Sequence, residues 1–107
     1  MIQFKDLKFE PRGFGGVGAT HTFDNGITIS VQASKINYST PREDLTSSDQ
    51  FSSFEVAIWG ENGEFITKEF VPDAGDDVLG WQSRGEINAL MLLIQDKETS
   101  KIKYKLC

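Results

Sequence analysis

The sequence predicts an α+β fold in which an antiparallel sheet of about 4–6 strands, made of two hairpins, packs on one C-terminal amphipathic helix. Two Asn-Gly turns, each between runs of alternating apolar residues, indicate the hairpins. A single later stretch carries apolar residues at helical spacing. The chain has 107 residues, an ordinary length for one domain with its own core. We therefore expect residues 1–107 to form a single domain.

The register of both hairpins depends on the length of the turn. The turns lie at residues 24–26 and 61–63, and each ends in glycine. A three-residue loop with that glycine in the left-handed conformation places apolar residues on one face, whereas a two-residue loop does not. The return strands are then residues 27–31 and 65–71. The expected cross-strand pairs are Phe23–Ile27, Ala19–Val31, Ile58–Ile66 and Phe54–Phe70.

The predicted helix begins at Ser83, which forms a capping-box pattern with Glu86. The apolar stripe that follows comprises Ile87, Leu90, Met91 and Ile94, widened by Leu93. Spacings of three and four residues place this stripe on one side of a helix.

The sequence pattern predicts the secondary structure of the two ends of the chain less clearly. Residues 3–9 predict a short first strand that Pro11 ends, because proline cannot donate to a ladder. In residues 101–106 lysine alternates with apolar residues, which fits a protected edge strand and a loose tail equally well.

A polar connection over residues 34–53 separates the two hairpins. It is rich in serine and threonine, and it is longer than the roughly 12–15 residues usual for loops without secondary structure. Such segments are functional or disordered, so we expect this one to be the mobile part of the domain.

Charge is distributed unevenly along the chain. The net charge is −5, but residues 43–96 hold twelve acids and two bases, a net of −10. An acidic field repels phosphates, so direct binding of DNA or RNA is not expected. It favours a basic protein partner, or serves solubility alone.

Composition also limits compartment and chemistry. The only cysteine is Cys107, which excludes a disulfide framework and a zinc site made of several thiolates. The longest apolar run, residues 89–94, is far shorter than the roughly 20 residues of a membrane span. The first residues carry charges where a signal peptide has an apolar segment. We therefore expect a cytoplasmic protein with no membrane contact.

No constellation of catalytic residues is present. Gly13, Gly15 and Gly18 match the dinucleotide fingerprint as a string, but a hairpin follows them instead of the helix that would bind the pyrophosphate. His21, the only histidine, is predicted opposite Ile29 at the margin of the core. We therefore expect no enzymatic activity, no cofactor and no metal, with the glycines serving a bulge, a kink or a flap.

The remaining candidates form an acidic surface with two tryptophans. Trp59 has the strand parity opposite to the core residues of its strand, and Trp81 precedes the helix beside an aspartate-rich loop that lacks calcium-loop spacing. Aromatic residues are enriched at binding surfaces. An alternative is that Trp81 packs beneath the start of the helix. The candidate binding residues are Trp59, Glu61, Glu64, Asp73, Asp76, Asp77 and Trp81.

Four runs of the sequence together resemble small uncharacterised proteins of tailed bacteriophages and prophages. They are residues 14–18, 23–31, 54–59 and 76–81. The resemblance is one of layout and implies an accessory protein made in an infected bacterium and acting on a host factor. It implies no activity and no site residues. An acidic surface in that setting could mimic nucleic acid toward a basic host protein.

Three functional hypotheses follow. The first is a non-enzymatic accessory module that binds a protein, such as a basic host factor, through the acidic segment 55–81 and its tryptophans. The second is a structural or assembly protein that forms a homodimer through the edge of its Lys-rich C-terminal strand, residues 101–106. The third is a small enzyme that uses His21 near the glycine segment.

Overall fold

The computed structural model describes residues 1–13 and 15–96. Five strands form one antiparallel sheet in chain order: β1 (Glu10–Pro11), β2 (Val17–Thr22), β3 (Thr28–Ala33), β4 (Phe54–Trp59) and β5 (Val78–Gln82). The helices are α1 (Thr67–Phe70) and α2 (Arg84–Gln95), with 3₁₀ turns at Phe4–Asp6 and Ser48–Gln50. The predicted α+β class is confirmed. The question of a strand at 101–106 lies outside the described residues.

The core joins one face of the sheet to α2. Alternate residues of β2, β3 and β4 are buried in a single cluster with the apolar stripe of the helix. Its most enclosed members are Ile29, Val31, Phe54, Val56, Ile58, Ile87, Met91 and Ile94. Leu93 does not widen the stripe, since it is 39% exposed. At 3.6 residues per turn, Leu93 lies roughly 110° from the centre of the stripe.

The first hairpin has the predicted register. Gly26 takes the left-handed conformation (φ 86°), and the Phe23 N–H donates to the Ile27 carbonyl at 2.8 Å. Ala19 lies opposite Val31, and His21 lies opposite Ile29. The three-residue turn is therefore confirmed.

The second hairpin is confirmed only at its turn. Gly63 is left-handed (φ 80°), and the Ile66 N–H donates to the Ile58 carbonyl at 2.8 Å. The predicted return strand to residue 71 is wrong, because the chain enters α1 at Thr67. Phe54 lies opposite Gln82 of β5 and not opposite Phe70. The strand that follows β4 in the sheet is therefore β5, which lies largely within residues 73–81, a segment that the sequence pattern predicts to be a loop.

Thr67 explains why the return strand stops. Its side chain is fully buried, and its hydroxyl accepts from the Ile58 N–H at 3.0 Å and donates to the Asp77 carbonyl at 2.6 Å. The hydroxyl therefore takes a position that a backbone group of a continuing strand would fill. It also fixes the chain just before β5, which allows β5 to pair with β4.

The expected strand at residues 3–9 is a 3₁₀ turn instead. Phe4 and Leu7 are three residues apart and both buried, a spacing that suits such a turn and not a strand. The Phe4 N–H donates to the Asn88 side chain at 2.6 Å, which ties this turn to α2. Pro11 does not end a strand but belongs to β1, an edge strand, where proline is tolerated.

Hydrogen bonds and a buried aromatic side chain connect the segment 34–53 to the rest of the domain. Asn37 Nδ2 donates to Glu55 Oε2 at 2.6 Å, Arg84 Nη2 donates to the Ser48 carbonyl at 2.8 Å, and Phe51 is 2% exposed. Its expected mobility stays a prediction.

The capping box at the start of α2 is present as the sequence predicts. Ser83 Oγ accepts from the Glu86 N–H at 3.1 Å, and Glu86 Oε1 accepts from the Ser83 N–H at 3.0 Å. The hydrogen bonds from the backbone N–H and then the side chain of Ser83 lower the pKa of Glu86 below its ordinary value of 4.5. The ionised carboxylate is therefore the form that stabilises the helix start.

We expect the stabilisation by Glu86 to be lost in acid. Because its pKa is lower in the folded state, the contribution is complete above pH 4.5 and disappears as the pH falls through the lowered value. Glu86→Gln should lower the free energy of unfolding by about 0.3–0.5 kcal/mol at pH 7, as the residue is exposed. Urea unfolding followed by helical circular dichroism at pH 7 and pH 3 checks this. The difference from wild type should be smaller at pH 3 than at pH 7, whereas a constant difference would contradict the role of the charge.

Candidate binding surface

Trp81 has an unusual backbone conformation at the edge of the sheet. Its φ is +54°, the only positive value among the non-glycine residues that the structure describes. The pairing of β4 with β5 shifts between Phe54 and Val56, and the Trp81 N–H donates to the Tyr38 carbonyl at 2.9 Å instead of to β4. The left-handed conformation of a bulky residue costs about 1–2 kcal/mol.

Trp81 and Tyr38 form an exposed aromatic pair. Their ring centroids lie 5.0 Å apart at an interplanar angle of 29°, and the side chains are 55% and 43% exposed. The guanidinium carbon of Arg42 lies 5.2 Å from the centre of the Tyr38 ring. The surface therefore presents two stacked rings to solvent, with one cation against them.

The neighbours of Tyr38 hold the pair in position. Asn37 Nδ2 donates to Glu55 Oε2 at 2.6 Å, and the Tyr38 N–H donates to Glu55 Oε1 at 3.4 Å. Tyr38 also passes close to Gly80, where an added Cβ would come within 2.9 Å of the Tyr38 Cβ. A side chain at position 80 would therefore push Tyr38 away from the sheet.

Trp81 lies near the C-terminal end of β5, and the other six of the seven predicted site residues lie at the end of the sheet where β5 begins. Because β4 and β5 are antiparallel, the end of β4 and the beginning of β5 meet there. This acidic end contains Trp59, Glu61 and Glu64 and the acidic loop, which we define as residues 73–77 with Asp73, Asp76 and Asp77. All five carboxylate residues are exposed.

Trp59 stands on the non-core face of the sheet, as its strand parity predicts. It is half-buried, lies opposite Thr28 and packs edge-on against Phe65 with ring centroids 6.2 Å apart. Trp81 is separated from this end by the length of β5, about 13 Å at 3.3 Å per residue. The predicted site is therefore two contact areas joined by one edge strand.

Sequence reasoning missed Tyr38 and Arg42 as members of the surface. Both lie in the polar segment 34–53, where an aromatic residue among serines was the available signal. The alternative that Trp81 packs beneath the start of α2 is wrong, because its ring is more than half exposed and stacks on Tyr38.

His21 occupies a different part of the molecule. Its ring is half-buried and meets the edge of Phe23 at 4.8 Å, and it lines an open cavity of about 420 Å³ with Asp24 and Asn25. The neighbouring hydroxyl of Thr22 is bonded to that of Thr28 at 2.7 Å, and Asn25 Nδ2 donates to the Ile94 carbonyl. The described part of the chain brings no activated nucleophile to His21.

The glycine segment 13–18 leads into β2 at Val17 and not into a helix. Gly15 and Gly16 have positive φ, and a side chain on Gly16 would collide with the backbone of Ala33. The glycines thus allow close packing where the chain enters the sheet. They lie in the connection between β1 and β2, where the Gly15 N–H donates to the Arg12 carbonyl at 3.2 Å. The expected bulge, kink or flap stays a prediction, and residues 15–22 contain no helix of the kind that a dinucleotide site requires.

Comparisons with known proteins give no relative. No family model, no curated protein and no solved structure matches the chain. Within residues 1–13 and 15–96, no helix has the length and hydropathy needed to cross a bilayer. The same residues contain no group of three or more side chains that could hold a metal ion.

Proposed function

We propose that the chain is a non-enzymatic binding module that holds a basic segment of a partner protein along β5. The observation that carries the proposal is Trp81, a large aromatic residue in a costly backbone conformation with 55% of its surface exposed. A tryptophan that served only the fold would gain more from burial. Strained residues with exposed aromatic rings are typical of ligand-binding sites.

The aromatic pair supplies the apolar part of the contact. A tryptophan buries up to about 250 Å², so covering the exposed part of Trp81 would contribute about 3 kcal/mol as an upper bound. Tyr38 adds further area with a phenol that can hydrogen-bond at the rim. Both residues lose little side-chain entropy on binding, because their rings already stack on each other.

The acidic end supplies the electrostatic part. The acidic loop directly precedes β5, and segment 43–96 has a net charge of −10. An extended segment of about five residues spans the roughly 13 Å from this loop to the aromatic pair. A basic segment would therefore meet carboxylates at one end and aromatic rings at the other. Nucleic acid, with its own negative charge, fits this surface poorly.

The resemblance to phage and prophage proteins gives the proposal its setting, with a basic host factor in the cytoplasm as the partner. A homodimer through an edge strand is the second candidate, because among the residues that the structure describes β5 pairs with a strand on one side only. Light scattering separates the two: a strict monomer that still captures a partner contradicts the dimer.

Charge reversal of the acidic loop tests the proposal. We expect the triple variant Asp73→Lys, Asp76→Lys, Asp77→Lys to lose capture of any protein that the wild-type chain retains from bacterial lysate. The change removes three negative charges and adds three positive ones at one end of the proposed contact, and so replaces attraction by repulsion. Capture is measured by pull-down and mass spectrometry at about 50 and 200 mM salt.

A matched control reverses three exposed acids away from the acidic end, Asp6, Glu10 and Asp49, with the same change in net charge. This control should retain the partner at low salt. Equal loss in both triple variants would show that capture depends on net charge alone, and full retention by the acidic-loop variant would overturn the mapping to β5.

A further inference from the structure

We infer that the aromatic pair selects arginine over lysine in the bound segment, and that Arg42 occupies the pair in the free protein. The inference rests on the proposed function and names the side chain that the site receives. It starts from the cation that the structure already places against Tyr38.

Arg42 shows which ligand chemistry the pair accepts. Its guanidinium carbon is 5.2 Å from the Tyr38 ring centre, within the distance of a cation–π contact. Arg42 is exposed and makes no hydrogen bond or ion pair to any residue that the structure describes. A cation held by one ring alone is easily displaced by a second cation of the same kind.

Arg84 shows a complete arginine site within the same chain. Its guanidinium carbon lies 5.4 Å from the ring of Phe4 and 5.3 Å from that of Phe54, and Nη2 donates to the Ser48 carbonyl at 2.8 Å. Two rings and one backbone carbonyl thus hold an arginine firmly. The aromatic pair offers two rings beside the backbone of an edge strand, which are the same kinds of groups.

The planar guanidinium is the cation that fits such a surface. It stacks on aromatic faces while its N–H donors point outward in the plane of the guanidinium group, where backbone carbonyls can accept them. An ammonium is compact and strongly hydrated, and it does not stack in this way. The acidic end, which acts on charge alone, does not distinguish the two. Selectivity for arginine should therefore depend on Trp81 and Tyr38, whereas the acidic loop should contribute the same electrostatic affinity to both cations.

The probes are two synthetic nine-residue peptides of equal length and charge, with arginine at every basic position in one and lysine in the other. A third peptide carries citrulline, which is planar but neutral, in place of arginine. Trp59→Phe serves as the background, so that among the tryptophans of the chain only Trp81 reports binding by fluorescence. Each peptide is titrated at constant salt.

We expect the arginine peptide to bind about fivefold more tightly than the lysine peptide, with the citrulline peptide weakest. Trp81→Ala, followed by isothermal titration calorimetry, should reduce this ratio to about one while the lysine peptide still binds, which also shows that the variant is folded. Phe65→Ala, which removes another exposed aromatic ring, should preserve the ratio.

Arg42→Gln should tighten binding of the arginine peptide two- to threefold, because it removes both a competitor and a like charge.

The outcomes separate the two proposals. Equal binding of both cationic peptides, or a ratio unchanged by Trp81→Ala, overturns arginine selection while the binding module stands, provided that reversal of the acidic loop still abolishes both. Weaker binding in Arg42→Gln contradicts its role as an occupant of the pair. If neither cationic peptide binds, the proposed function and the inference fail together.

Discussion

Replacing Thr67 by valine is expected to destabilise the domain by about 3 kcal/mol. The two side chains have nearly the same shape, so no cavity forms. The substitution removes the acceptor of the Ile58 N–H and the donor to the Asp77 carbonyl. A buried polar group left without a partner costs about 1–3 kcal/mol, which applies in full to the Ile58 N–H. The Asp77 carbonyl belongs to an exposed residue, so the loss of its hydrogen bond adds less. Thermal unfolding followed by circular dichroism should show a midpoint lower by roughly 10–20 °C.

Thr67→Ser is the matched control, because it keeps the hydroxyl and removes only a methyl group. Its cost should be about 1 kcal/mol, the price of one buried methyl. A loss in Thr67→Val no larger than that in Thr67→Ser would show that the hydroxyl does not carry the connection between β4 and β5. Amide hydrogen exchange provides a local check, since the Ile58 N–H should lose protection in the valine variant first.

Thr67 also shows where prediction from the sequence stops. The first hairpin and α2 were predictable because their signals are local: a glycine at the end of the turn, a capping box, and apolar residues at fixed spacing. Residues 65–71 carry a weaker pattern that fits a strand, but the hydroxyl of Thr67 bonds to residues nine and ten positions away in the chain. The residues of the segment itself do not indicate hydrogen bonds to Ile58 and Asp77. The return strand was therefore wrongly predicted.

The candidate surface was also predictable only in part. Exposed acids and the parity of Trp59 follow from composition and alternation. The contact of Trp81 with Tyr38 joins residues 43 positions apart, and only the folded chain brings them together. The left-handed backbone of Trp81 has no sequence signal either, since that conformation is typical of glycine and asparagine. Sequence reasoning could therefore name Trp81 as a candidate without giving the geometry that makes it one.

That geometry leads to a second expected result, in which two variants that both lose binding differ in stability. Trp81→Gly and Trp81→Ala both remove the ring, and each should weaken binding of the arginine peptide by at least tenfold, because most of the apolar contact is lost. They should differ in stability. Glycine adopts φ +54° without cost, whereas alanine does not, so the glycine variant should be more stable than the alanine variant by about 1 kcal/mol.

Gly63→Ala calibrates this difference within the same chain. Gly63 has φ +80°, and an added Cβ there meets nothing within 4 Å, so its cost reports the backbone conformation alone. We expect a loss of about 1 kcal/mol in urea unfolding, similar to the gap between the two Trp81 variants. Equal stability of those variants, together with a clear cost in Gly63→Ala, would mean that Trp81 is unstrained in solution. A gap that matches Gly63→Ala would show that the domain tolerates strain at position 81 to keep an aromatic ring exposed there, which is the expected property of a residue retained for binding.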